Sequence, residues 1–198
     1  YPVEYMTSLL SSELGHSAIA VEDKENKLVT YIEEAKALGI SVLPPDIQHS
    51  KVVFSIEGAA IRFALTAIKN VGSASAHSIV TARNQGAFTS LDDFCRRIDL
   101  HASNKKTLES LIASGAMDSL MGAVNPQEAR ARLHHCLENS MASQARIKED
   151  LVRGQGFLFG SELPAARSPS EAMEKVPPLT EHDLLNAERE VLGFYFSG

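Results

Sequence analysis

The residues with the clearest chemical potential form a short polar run, Lys69-Asn70-Val71-Gly72-Ser73-Ala74, between two apolar segments. Glycine adopts positive φ angles without steric cost, and asparagine is among the few other residues that do. The run therefore predicts a tight turn at Asn70 to Gly72 with Val71 pointing inward. The small residues that follow begin a predicted helix and leave its first backbone N–H groups uncovered. Such a helix start, beside a lysine, can accept a phosphate oxygen.

Apolar residues at helical spacing lie on both sides of this turn, so residues 62–83 are predicted to form two short helices joined by a hairpin. The pattern resembles the helix-hairpin-helix motif, which binds nucleic-acid backbones without reading their sequence. An ordinary helical hairpin with a glycine turn is the alternative. The predicted contacts to DNA in this first hairpin are Lys69, Asn70, Val71, Gly72, Ser73, Ala74 and Arg83, and the apolar positions are Phe63, Leu65, Ile68, Ala76, Ile79 and Val80.

The distribution of charge favours phosphate binding by the middle of the chain. The 198 residues carry a net charge of −6, which argues against a nucleic-acid binder as a whole. Residues 1–58 carry −5, residues 59–153 carry +3, and residues 154–198 carry −4. No acidic residue lies between Gly58 and Asp92. We therefore expect only the middle to face phosphate, and the acidic flanks to weaken DNA binding by the whole chain.

The elements that must position this hairpin are mainly helical. Helices are predicted over 1–14, 26–38, 90–98, 104–113, 126–153 and 180–192, with Ser90, Ser103 or Asn104, and Thr180 as N-caps. Two short β segments, 51–56 and 59–65, flank Glu57-Gly58 as a hairpin, and Pro44-Pro45 exclude a helix before them. The predicted fold class is mainly α: a tandem helix-hairpin-helix domain with a small β-hairpin preceding it and a long helix following.

The second predicted hairpin, formed by the helices at 90–98 and 104–113, is degenerate. Lys105 and Lys106 lie in the first turn of its second helix. Lysine is unfavourable at the positive end of a helix dipole, so these two either attract an anion or are simply solvated. Both interpretations stay open, and both lysines are included among the predicted DNA contacts.

Longer stretches resemble the C-family replicative DNA polymerases of bacteria, and they follow the same order along nearly the whole chain. The matching stretches include 1–5, 31–34, 39–47, 61–63, 67–72, 88–95, 108–112 and 188–195. The resemblance implies a fragment that runs from the end of the polymerase fingers through its DNA- and clamp-binding region. Its implied divisions are 1–58, the end of the fingers; 59–122, the tandem helix-hairpin-helix domain; 123–153, a long helix; 154–178, a clamp-binding loop and linker; and 179–198, a helix leading to the next domain.

The segment Gly154-Gln155-Gly156-Phe157-Leu158-Phe159-Gly160 places two aromatic residues and a leucine between glycines. A short loop cannot bury these side chains itself, and exposed apolar clusters typically contact a partner. The segment resembles the Q-x-x-L-F peptide with which polymerases dock the sliding clamp. The resemblance implies Gln155 as the polar anchor and Leu158 and Phe159 as the apolar plugs.

The chain shows no pattern for nucleotidyl transfer, which requires carboxylates held together around paired metal ions. The resemblance assigns those aspartates and their Mg²⁺ to the palm of the parent, a DNA-directed DNA polymerase. We expect this fragment to be catalytically inert and to hold no cofactor or metal. His134-His135-Cys136 do not suggest a metal site, because adjacent residues on a helix point in different directions.

The expected partners are duplex DNA, the sliding clamp (beta subunit), and the remaining domains and subunits of the replicase. The two cysteines form no CxxC pair, no secretion signal is present, and no apolar run approaches the roughly 18 residues of a membrane span, so a cytoplasmic location is expected. The alternative function is a helical scaffold that packs against other polymerase domains without touching DNA.

Overall fold

The structure is a computed structural model that describes residues 1–15, 21–122, 124–152 and 176–197. Within these ranges the chain forms seven α-helices, three short strands and two 3-10 turns, Leu65–Ala67 and Asp118–Met121. The mainly α fold class, with a small β element before the hairpins, is confirmed. The helices are α1 Pro2–Gly15, α2 Val21–Ala37, α3 Ser73–Arg83, α4 Leu91–Arg97, α5 Lys105–Ala113, α6 Pro126–Val152 and α7 Glu181–Leu192.

The strands form one small sheet in the order β1-β3-β2, where β1 is Val42–Leu43, β2 is Ser55–Glu57 and β3 is Ala60–Arg62. β2 and β3 pair antiparallel around the predicted turn at Glu57-Gly58, with Gly58 at φ +63°. β1 joins them in parallel and was not predicted from the sequence. The sheet delivers the chain directly into the first hairpin.

The helix predicted before the Asn70 turn is wrong. β3 runs to Arg62, and the amide of Phe63 still donates to the carbonyl of Leu43 (3.1 Å), so the chain remains extended until just before the turn. The few residues left fit only the 3-10 turn Leu65–Ala67. Phe63, Leu65 and Ile68 are nevertheless buried as their apolar spacing predicted, because the core lies on the same side of either conformation.

Side-chain caps set the starts of three helices where the sequence placed them. The hydroxyls of Ser90 and Thr180 and the amide oxygen of Asn104 each accept a backbone N–H three residues later, at 3.1, 3.1 and 3.0 Å. These bonds satisfy amides that would otherwise be unpaired at a helix start. α3 differs from these three helices, since its N-cap residue Gly72 has no side chain with which to cap it.

The segment after α7 packs back on the core through an aromatic cluster. The ring of Phe63 lies 5.1 Å from that of Phe54, 5.8 Å from Phe194 and 5.6 Å from Phe196, measured between centroids. The pairs with Phe54 and Phe196 are edge-to-face, which is a favourable arrangement at these separations, and the pair with Phe194 is tilted. The amide of Lys69 also donates to the carbonyl of Val191 (2.9 Å), so α7 is joined to the first hairpin directly.

A buried ionic network ties together α5, α6, α7 and the second 3-10 turn. The guanidinium of Arg130 contacts Asp118 (3.0 Å) and Glu188 (3.4 Å) and donates to the carbonyl of Ala113 (3.1 Å). Glu188 also accepts the amides of Phe196 (2.8 Å) and Ser197 (3.0 Å). The network needs a glycine beside it, because a Cβ at Gly115 would lie 2.4 Å from Nη2 of Arg130.

α6 is the longest helix and was predicted with nearly the observed bounds. Its apolar stripe, which includes the buried Leu133 and Leu137, packs on α4 and α5. Most of its other positions are charged or polar, and Ile147 is an exposed exception. None of the helices in the described ranges is long and apolar enough to cross a membrane.

Candidate nucleic-acid interface

The N-terminus of α3 presents unpaired backbone N–H groups on the surface. Gly72 is extended (φ −76°, ψ 163°) and provides no side-chain cap. The first amide to bond within the helix is that of Ala76, which donates to the carbonyl of Gly72 (3.0 Å). Among the described residues, the amides of Ser73, Ala74 and Ser75 therefore have no acceptor. Gly72, Ser73 and Ala74 are exposed, so an anion can reach these groups.

Gly72 does not adopt the positive φ angle that glycine tolerates; at this turn Asn70 has the positive φ, +65°. Gly72 is extended because it serves as the N-cap of α3, and N-caps are typically extended. A Cβ built on Gly72 meets no atom within 4 Å. Neither backbone conformation nor internal packing requires a glycine at position 72. The missing side chain affects only how closely a molecule in solution can approach the start of α3.

The turn is held from behind by the second hairpin. The side-chain amide of Asn70 donates to Oγ of Ser110 (3.0 Å), and the backbone carbonyl of Asn70 accepts from Oγ1 of Thr107 (2.8 Å). The hydroxyls of Ser75 and Ser103 form a further buried hydrogen bond at 2.6 Å. Val71 is buried as predicted. These contacts fix Asn70 in its left-handed conformation and join the starts of α3 and α5.

Two lysines near the turn are free to contact phosphate. Lys69 and Lys106 are exposed, and neither ammonium group has an acidic partner in the part of the chain that the structure describes. Lys106 immediately precedes Thr107, whose hydroxyl contacts the turn at Asn70. The structure thus brings Lys106 toward the first hairpin, although the sequence alone did not predict that the hairpins touch.

Lys105 and Arg83, in contrast, have partners within the protein, Lys105 on the surface and Arg83 partly buried. Lys105 forms ion pairs with Glu138 and with Glu109 (3.7 Å), and the hydrogen bond to Glu138 raises the pKa of Lys105. Nη1 of Arg83 donates to the carbonyls of Ile47 (2.7 Å) and Ser50 (2.9 Å). Its burial lowers its pKa, which Asp46 partly opposes.

Arg83 is also remote from the turn. It is the last residue of α3, about 15 Å along the helix from Ser73 at a rise of 1.5 Å per residue. The structure therefore separates Arg83 from the predicted contacts at Lys69 to Ala74 and shows it supporting the loop before β2.

The predicted clamp-binding residues Gln155, Leu158 and Phe159 lie outside the described residues. Within the described ranges, no three His, Cys, Asp or Glu side chains are grouped to hold a metal ion. Sequence reasoning missed two features of the interface, the Thr107 and Ser110 contacts and the exposed His77. The spacing of Ser73 and His77, one helical turn apart, was the available signal for the second of these.

Comparison with known proteins identifies the same region. Residues 39–129 match the family described as a helix-hairpin-helix motif. Over its full length the chain is 39% identical to the DNA polymerase III subunit alpha of Thermus aquaticus, 36% to that of Haemophilus influenzae and 36% to that of Bacillus subtilis. It spans 15% of the length of the first relative and 16% of the other two. The resemblance to the bacterial replicative polymerases is confirmed.

Proposed function

We propose that this chain, which corresponds throughout its length to one segment of the bacterial DNA polymerase III alpha subunits, holds duplex DNA by its backbone during replication. The bare N-terminus of α3 carries the proposal: unpaired amides at Ser73 to Ser75 lie beside the exposed Lys69. Backbone amides recognise phosphate oxygens and carry no information about the bases. Binding is therefore independent of sequence, as a polymerase that copies any template requires. The chemistry of synthesis belongs to the rest of a DNA-directed DNA polymerase.

Salt dependence tests this proposal against the scaffold alternative. Contacts to two or three phosphates give a slope of log K against log salt of about −1.8 to −2.7, hence an about tenfold to fortyfold loss of affinity from 50 to 200 mM salt. Fluorescence anisotropy with labelled 20-bp duplexes of unrelated sequence measures it. Equal, salt-sensitive affinities support the proposal. The absence of salt-sensitive binding, with or without the clamp, supports the scaffold.

Two substitutions test which residues hold the phosphate. Lys69→Ala should reduce the salt slope by about 1, because it removes one phosphate contact. Lys51→Ala is the matched control, since Lys51 is an exposed lysine outside the hairpins. Equal slopes for the two variants would exclude Lys69 from the interface.

Gly72→Val should weaken DNA binding while the protein stays folded. The new side chain enters open space beside the amides of Ser73 and Ala74, where it obstructs an approaching phosphate. The backbone of Gly72 is one that any residue adopts. Urea unfolding should therefore show a small change in stability, about 1 kcal/mol or less. DNA affinity retained in full by a folded variant would place the phosphate elsewhere.

We further propose that Gln155, Leu158 and Phe159 dock the sliding clamp. The support is the Q-x-x-L-F pattern and its position after the hairpins and α6. Burial of each large side chain contributes roughly 1.5–3 kcal/mol, whereas ordering each loop residue costs roughly 1–2 kcal/mol. The isolated chain should bind weakly, and more tightly when DNA already holds both proteins.

Surface plasmon resonance on immobilised clamp tests the docking peptide. Gln155→Ala/Phe159→Ala should abolish the response, and Ser168→Ala/Ser170→Ala, in the same linker, should not. Gly72→Val should leave clamp binding intact. Undiminished binding of the Gln155/Phe159 double variant would show that the clamp docks elsewhere.

A further inference from the structure

An open groove of about 450 Å³ runs along α3 from the end where DNA is proposed to bind. One wall is a single face of α3 that begins at Ala74 and continues through His77, Ser78 and Thr81. The opposite wall is formed by Arg97 to Asp99. Because Ala74 contributes both an unpaired amide and the start of the groove, His77 lies about one helical turn from the proposed phosphate site.

The hydrogen bonding of His77 fixes which of its ring nitrogens carries hydrogen. Nδ1 lies 2.8 Å from the carbonyl oxygen of Ser73 and 3.2 Å from its hydroxyl oxygen. A carbonyl only accepts, so the shorter contact requires a hydrogen on Nδ1. In the tautomer with its hydrogen on Nε2, Nδ1 could accept from the Ser73 hydroxyl, but its lone pair would face that of the Ser73 carbonyl oxygen at 2.8 Å. Neutral His77 therefore presents a lone pair on Nε2.

This tautomer makes phosphate binding depend on protonation. A lone pair on Nε2 repels a phosphate oxygen, whereas the imidazolium donates Nε2–H and adds a positive charge. We propose that His77 is a phosphate ligand of the DNA-binding site that contacts the backbone only in its protonated form, so that duplex binding takes up a proton. The inference rests on the proposed function and adds a residue and a pH dependence to that site.

The charged groups facing the groove do not supply this behaviour. Oδ1 of Asp99 accepts the amide of His101 (2.9 Å). The guanidinium of Arg97 is held by Asp93 (3.0 Å) and by the carbonyl of Gly86 (2.6 Å). His77 is the one histidine among the residues that line the groove, and imidazole is the side-chain type that gains or loses its charge near neutral pH.

The test is the pH dependence of duplex binding by the 198-residue chain, measured by anisotropy at constant ionic strength from pH 5.5 to 8.0. One charge-assisted contact predicts an about fivefold to tenfold fall in affinity over this range. The duplex affinity of His77→Gln should not change with pH and should equal that of the parent at pH 8.0. The duplex affinity of His77→Lys should also not change with pH and should equal that of the parent at pH 5.5. His101 is an exposed histidine on the neighbouring loop, and the affinity of His101→Gln should still fall as the pH rises.

Calorimetry in two buffers of different ionisation enthalpy gives an independent measure. Duplex binding near pH 7 should take up a fraction of a proton in the parent protein. It should take up no proton in His77→Lys. Salt-sensitive binding whose pH profile and proton uptake are the same in His77→Gln overturns the role of His77 and leaves the proposed function standing. No salt-sensitive binding at any pH overturns both.

Discussion

Asp93 shows how one carboxylate secures the start of the second hairpin. It is buried, and it accepts the amide of Thr89 (3.2 Å) and the guanidinium groups of Arg97 (3.0 Å) and Arg96 (2.5 Å). Burial by itself raises the pKa of this carboxyl group, but the hydrogen bonds from Thr89, Arg97 and Arg96 outweigh it. The net result is a lowered pKa, so the folded protein favours the charged form.

Asp93→Asn should lower the stability of the protein at neutral pH by about 1–3 kcal/mol, because it removes a buried acceptor of charged donors. A lowered folded-state pKa stabilises the protein above the pKa of an unfolded aspartate, near 3.9, and the stabilisation is lost as the pH falls through the folded-state value. Urea unfolding at pH 7 and pH 3 should thus show a difference between variant and parent that shrinks in acid. Asp92→Asn, in the same turn, is the control; a pH-independent difference would contradict the assignment.

Single residues also mark what the sequence could predict. Asn70 was predicted to allow a positive φ angle and does, because this property belongs to the residue type. Gly72 was credited with the same tolerance and does not use it, because glycine permits a positive φ without requiring one. Arg83 and Lys105 were interpreted from charge alone. Their partners at Ile47, Ser50 and Glu138 are more than 30 residues away, and local patterns cannot reveal them.

At the scale of elements, the second hairpin acts as a brace for the first. On α5, Thr107 hydrogen-bonds the backbone carbonyl of Asn70 and Ser110 hydrogen-bonds its side-chain amide. Ser103 hydrogen-bonds Ser75 on α3. The N-terminus of α5 is capped by Asn104, unlike that of α3. One hairpin therefore has bare amides for a ligand, and the other holds those amides in position.

Thr107→Val should weaken duplex binding about threefold to tenfold, because it removes the hydrogen bond to Asn70 while keeping the shape of the side chain. The salt slope should stay the same, since no phosphate contact is removed. Anisotropy at several salt concentrations measures both quantities.

Thr66→Val is the matched control, because Oγ1 of Thr66 bonds the carbonyl of Val52 (2.6 Å) away from the turn. It should cost similar stability and leave DNA affinity unchanged. An equal loss of affinity in both variants would mean that stability in general, rather than the brace, controls binding.

At the scale of the whole molecule, Arg130 joins parts of the chain that are distant in sequence. Its side chain is 5% exposed, and that of Glu188, 58 residues later, is 1% exposed. Burial is the main cause of a raised pKa at Asp118, which the Arg130 guanidinium opposes. Three helices and the segment after α7 therefore depend on one guanidinium group.

Arg130→Met should destabilise the protein by about 3–5 kcal/mol, because it leaves buried carboxylates without their cation. Arg132→Met, two residues on, should cost about 1 kcal/mol or less, since Arg132 pairs with the more exposed Glu128. Urea unfolding measures both. In the double variant Arg130→Met/Glu188→Gln the loss should be smaller than the sum of the two single losses; strict additivity would show that the two groups are uncoupled.

The sequence predicted the helices on which this network lies, because caps and apolar spacing are local signals. It did not predict the network. Arg130 stands among mixed charges in the sequence of α6, and nothing near it in the sequence indicates that its partners are Asp118 and Glu188. Strand β1 was missed for the same reason, because a two-residue strand is defined only by its pairing with β3.

The crowding of Gly115 by Arg130 has an evolutionary consequence. At φ +78° any side chain at position 115 is strained, and a Cβ there would lie 2.4 Å from Nη2 of Arg130, so the buried guanidinium would have to shift. The two positions should therefore covary. In a randomised library selected for folded protein, replacements of Gly115 should be found mainly in clones whose residue 130 has become short, and either change introduced alone into the parent should lower its stability.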